Sequence, residues 1–111
     1  MVRDRTRRDG SSRVFVGILD VDLLLPDHVR SLKDKRSHVR GLVAEIRRRF
    51  DVAAAEAGHL DLHRRTLIGV AVVGPDLAHC RAVLDSCERL VAARPELEVL
   101  AARQRFVGDD D

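Results

Sequence analysis

The chain has no tryptophan, no tyrosine and no asparagine, and only two cysteines, two lysines and one glutamine in 111 residues. Each shortage excludes something. The three phenylalanines, Phe15, Phe50 and Phe106, read as core or sheet-edge residues. That leaves no aromatic platform on which RNA bases would stack, so any RNA contact is to backbone and shape. Cys80 and Cys87 lie seven apart in a helical pattern. This spacing puts them on one helix face roughly 10 Å apart, too far for a disulfide. They read as reduced core thiols, and without a Cys-x-x-Cys pair there is no iron–sulfur or copper spacing. No apolar run approaches the roughly 20 residues of a membrane span. The opening "MVRDRTRRDGSSR" has charge but no apolar stretch, so it is not a secretory signal, and a cytoplasmic location is expected.

What is present is a single domain's worth of chain, 45% hydrophobic, with a net charge of +2 that is unevenly spread. Residues 1–13 carry five Arg against two Asp, and residues 31–50 carry seven basic against two acidic side chains. Eighteen arginines against two lysines is what a codon bias towards G and C produces, so much of the arginine is expected to be solvated surface. Both lysines sit in the hexapeptide "SLKDKR", residues 31–36.

Residues 1–12 read as a flexible basic arm ending in "GSS", and residues 107–111 as an acidic tail. Between them, residues 13–106 form one domain. "RVFVGILDVDLLL" is a strand closed by Pro26. "SLKDKRSHVRGLVAEIRRRF" carries Val39, Leu42, Val43, Ile46 and Phe50 at helical spacing, and Ser31 with Asp34 makes a shortened capping box. "DVAAAEAG" and "TLIGVAVVG" are strands. "GPD" opens a second helix, with Pro75 in its first turn, and "ELEVLAARQRF" is a last strand. The order βαββαβ is the split βαβ, a ferredoxin-like α+β fold: a four-stranded antiparallel sheet, strands one and three central, both helices on one face.

One layer of helices leaves the other sheet face open. On the first strand Val14, Val16 and Ile18 oppose Phe15, Leu19 and Val21. On the third, Ile68, Val70 and Val72 oppose Leu67, Ala71 and Val73. Both faces read as apolar, so a homodimer through the open sheet face is expected.

The stretch "VFVGILDVDLLLPDHVRSLKDKR", the helix after it, "FDVAAAEAGHLDLHRRTLIGVAVVG" and the second helix together resemble the YlxP-like family of small bacterial proteins, over about residues 14 to 104. The resemblance implies a ferredoxin-like domain. Because the family's genes often sit among those for transcription elongation, translation initiation and ribosome maturation, it also implies RNA or ribosome association. Where the family commonly reads Asp-Leu-Trp, this chain has Asp61, Leu62 and His63.

Three constellations bear chemistry. Lys33, Arg36, Arg40 and Arg47 fall within about 60° on the first helix, a basic stripe able to follow a phosphate backbone. The alternative is a solvated face with long stems covering the core edge. The protein is then an interaction module that uses its open apolar sheet face and has no nucleic-acid role. His59, Asp61 and His63 would project to one side if extended, but nothing imposes that shape and no fourth ligand appears, so no metal is assigned. Asp20 and Asp22 share a strand face, roughly 6.6 Å apart, and read as acids near a strand end that face water or pair with the arginine stripe of the first helix.

Other activities on this fold lack their parts. An acylphosphatase-like site needs an Asn beside an anion loop, and no glycine-rich phosphate loop is present. A binding protein is expected, not an enzyme, with no cofactor and neither membrane nor small-molecule substrate among its partners.

Overall fold

The computed structural model describes residues 14–108; the expected basic arm and the last three residues of the acidic tail lie outside the described residues. The elements run β1 (Phe15–Leu24), α1 (Leu32–Arg49), β2 (Ala53–Gly58), β3 (Arg65–Gly74), α2 (Leu77–Ala92) and β4 (Glu98–Val107). All strand pairs are antiparallel and the sheet order is β2-β3-β1-β4, so β1 and β3 are central, as the ferredoxin-like reading requires.

Alternation along β1 sends Leu19, Val21 and Leu23 to the helix side, where Ile68, Val70 and Val72 of β3 join them. Val39, Leu42, Val43 and Ile46 of α1 close this core from above, with Cys80, Leu84, Cys87 and Val91 of α2. Burying each such aliphatic side chain contributes about 1.5–3 kcal/mol. Phe15, Phe50 and Phe106 pack on its margin. Gly17 lets α2 lie close on β1: a Cβ there would stand 2.9 Å from Leu84 Cδ1 and 3.2 Å from Cys80 Cβ. Both cysteines are buried free thiols, as their spacing predicts, and burial pushes Cys87 up to about 11.

The helix ends follow local chemistry. The Ser31 hydroxyl accepts from the Asp34 N–H at 3.0 Å. The Asp34 carboxylate returns to the Arg30 N–H, at 3.2 Å, one residue earlier than a longer Glu would reach. At α2 the cap is Asp76, which accepts from the His79 N–H at 2.7 Å. Pro75 therefore stands just before the cap and outside the first turn. Among the described residues no helix is long and apolar enough to cross a membrane.

The open sheet face is more polar than β1 and β3 alone suggest. Asp20 and Asp22 lie in its centre, between Val16 and Ile18 on one side and Leu24 on the other. Asp20 is met by Arg103 at 3.4 Å and Arg105 at 3.6 Å, both from β4. Asp22 is met by Arg65 at 2.9 Å and by His59 at 3.3 Å. Val73 and Val107 remain as exposed apolar side chains at one end.

Candidate nucleic-acid interface

Helix α1 lies over β2 at one edge of the sheet, with its buried residues facing down. Its two flanks differ. One carries His38, Gly41, Glu45 and Arg49 towards α2, where Arg94 pairs with Glu45 and so ties α1 to the turn before β4. The other carries the basic stripe along the outer edge of β2.

Lys33, Arg36 and Arg40 are exposed, and none makes a side-chain hydrogen bond or ion pair among the described residues. Arg30 and Arg48 share that condition, and Arg48 sits about 60° from Lys33 on the outward surface. Arg47 is exposed but partly committed, since its Nη2 donates to the Ala54 carbonyl at 2.6 Å. The free cationic surface is therefore Lys33, Arg36, Arg40 and Arg48, with Arg47 fastened to the strand beneath. The wheel alone gives a stripe through Arg47; the carbonyl within its reach is a tertiary feature.

Elsewhere among the described residues the arginines are occupied. Arg49 pairs with Glu45, Arg64 with Asp27, Arg65 with Asp22, and Arg94 with Glu45 and Glu96. Arg103 and Arg105 share Asp20. Arg81 stacks 4.7 Å over the Phe106 ring, and Arg89 donates to the Ser86 hydroxyl. Among the described residues, unpartnered cations occur only between positions 30 and 48. Chance surface arginine from codon bias would be scattered over every element.

The second lysine has a different job. Lys35 is 2% exposed, and its ammonium donates to the carbonyls of His59 and Leu62, both at 2.7 Å, while pairing with Glu56 at 2.8 Å. Thr66 donates to the same Glu56 carboxylate at 2.7 Å. All three ammonium donors are satisfied, and the β2–β3 turn is fixed to the start of α1. Reading residue type alone missed this. Period would have found it, because Lys35 precedes Val39, Leu42 and Ile46 by four, seven and eleven, the spacing of the buried face.

His59, Asp61 and His63 do not converge. The His59 backbone has φ 56, a left-handed conformation in which His, like Asn and Asp, is enriched among non-glycine residues; its carbonyl accepts from Lys35 while its ring reaches Asp22. Asp61 and His63 are exposed, and the described residues hold no group of three or more His, Cys, Asp or Glu able to bind a metal ion. At Asp22, burial is the largest single influence and acts upwards. The hydrogen bonds and charges of Arg65 and His59 together outweigh it and hold the carboxyl below its ordinary 3.8.

Fold and site define a ferredoxin-like α+β domain with one uncompensated cationic helix face. Residues 16–104 match the family model described as a protein of unknown function (DUF503), and the chain belongs to that family. It is also similar to the uncharacterized protein YlxP of Bacillus subtilis (strain 168), with 25% identity over 92 residues, covering 83% of this chain and 99% of that protein.

Proposed function

We propose that this protein is a non-enzymatic binding protein that associates electrostatically with RNA, free or in the ribosome, through the outward face of α1. The observation that carries the reading is the segregation of free cations: Lys33, Arg36, Arg40 and Arg48 lie unpaired on one surface while the arginines of other elements hold partners. Only Asp34 and Glu45 are acidic on this helix. The first accepts the Arg30 N–H and the second is held by Arg49 and Arg94. A helix face of this kind gains affinity from counterion release and reads no sequence.

Binding of a fluorescent oligoribonucleotide, followed by anisotropy against salt, tests the reading. Four phosphate contacts give a log–log slope of about −2.8 for a single strand and −3.6 for a duplex, so a fourfold rise in salt weakens binding roughly 50- to 150-fold. Changing Lys33, Arg36 and Arg40 together to Glu abolishes binding, whereas Arg47→Ala, at a side chain already engaged, leaves most of it. RNA binding that survives the triple change, or a flat salt dependence, refutes this function.

A further inference from the structure

The two edges of the sheet are treated differently. On β2, Arg47 donates to the Ala54 carbonyl, so that edge is blunted against strand addition. On the other side, β4 is ten residues long, lies outermost, and is exposed along most of its length, with no strand or helix beyond it among the described residues. It has neither proline nor lysine. Long open edges of this kind are templates for pairing, and natural sheets normally protect them.

The side chains of β4 are complementary to their own reversal. Glu98 is exposed and has no partner among the described residues. Arg105, half-exposed, reaches Asp20 only at 3.6 Å. Both lie on the open face, opposite Leu24 and Ile18 of β1, while Val99 and Gln104 lie on the helix face, opposite Leu23 and Leu19. Placing Ala102 on a two-fold axis sets Arg103 opposite Ala101 of a second strand. The bulge at Leu100, already present where β4 meets β1, then sets Gln104 opposite Val99 and Arg105 opposite Glu98. Every pair keeps to one face, and the Glu98–Arg105 pair forms twice per dimer.

We infer that β4 is a self-association edge: two copies of this chain join antiparallel through β4 into one continuous eight-stranded sheet, with Glu98 of each copy against Arg105 of the other. Edge pairing leaves Asp20 with Arg103 and Asp22 with Arg65 and His59, whereas face-to-face packing would have to strip water from these pairs. It also leaves both copies of α1 uncovered, on the same side of the sheet and near its two ends.

Sedimentation equilibrium of the full chain tests this. The expected species has twice the 12.4 kDa chain mass. Glu98→Arg and Arg105→Glu each weaken the dimer by about tenfold or more, since like charges then face each other twice across the axis, and the double variant restores it. A wild-type chain that stays monomeric at every concentration overturns the inference, as does a double variant no tighter than either single one. Ala71→Arg, on the open face, leaves the edge dimer intact. If it dissociates the dimer while the β4 charge variants do nothing, the copies join face to face and the edge assignment is wrong. None of these positions lies on α1, so the result is independent of RNA binding.

Discussion

Lys35→Met keeps the length and most of the volume of the side chain but removes its charge and three donors. The loss falls on identifiable atoms. The Glu56 carboxylate, 19% exposed, keeps the Thr66 hydroxyl but loses its countercharge. The Leu62 carbonyl loses its ammonium donor, and the His59 carbonyl keeps only the Leu62 N–H at 3.1 Å. Removing one member of a buried ion pair costs about 3–5 kcal/mol, and the partial hydration of Glu56 places this case near the lower end. Urea unfolding followed by far-ultraviolet circular dichroism reads the effect. With slopes of about 1–3 kcal/mol/M, a loss of about 3 kcal/mol moves the midpoint down by about 1 M or more. Lys35→Arg does not rescue it, because a planar guanidinium cannot converge on three acceptors spaced for an ammonium. Glu56→Gln alone is also destabilising, since it leaves the ammonium buried with neutral partners only. Lys35→Met combined with Glu56→Gln costs less than the sum of the two, by about 1–3 kcal/mol, because no charge is then left alone. A single Lys35→Met variant within about 0.5 kcal/mol of the parent, or a strictly additive double variant, refutes the account of Lys35 as the pin of the β2–β3 turn.

Two pH dependences follow from the same structure. The Asp22 carboxyl is held below its ordinary 3.8, so its contribution to stability is complete above that pH and is lost as pH falls through the lower folded value; Asp22→Asn flattens this acid limb in pH-dependent urea titrations. Cys87, pushed up to about 11 from 9.0 by burial, acts in the opposite direction: the unfolded thiol ionises first, so stability falls as pH rises from about 9 towards 11, and Cys87→Ala removes that fall while lowering stability at neutral pH. Thiol titration with a chromogenic disulfide gives a second reading, with Cys87 unreactive in the native state and reactive on unfolding.

The fold was legible because its strands and helices differ in hydrophobic pattern. Continuous runs of Val, Ile and Leu in β1 and β3, and a period of three to four in α1 and α2, locate the elements to within a residue or two, and the βαββαβ order then leaves one common topology. What was not legible depended on register. Asp20 and Asp22 sit on a strand face otherwise made of Val, Ile and Leu, and their partners come from positions 59, 65, 103 and 105. Nothing local announces that β4 delivers two arginines beside Asp20; that follows from the pairing of Asp20 with Arg103 and of Ile18 with Arg105. Lys35 was hidden for another reason. Residue type and helical period disagree there, and a polar group wins a core position only when distant acceptors converge on it, as Glu56, His59 and Leu62 do.

The two lysines therefore answer different demands within little more than about half a turn of helix. At Lys35 the compact, three-pronged ammonium fits an enclosed cage of two carbonyls and a carboxylate, where a guanidinium would be too wide and too flat. At Lys33 no such geometry operates, and a lysine there is one more mobile charge on an outward face. The immobile lysine assists the mobile one: by locking the start of α1 to the β2–β3 turn, Lys35 fixes where Lys33, Arg36 and Arg40 stand. Arg47 does the same at the far end through the Ala54 carbonyl. A helix pinned at both ends presents its free cations as a fixed array, so less ordering is needed when a phosphate backbone arrives. If two copies join through β4, their β2 strands lie seven strand spacings apart, roughly 34 Å, and one RNA long enough to reach both arrays binds more tightly than either array alone accounts for.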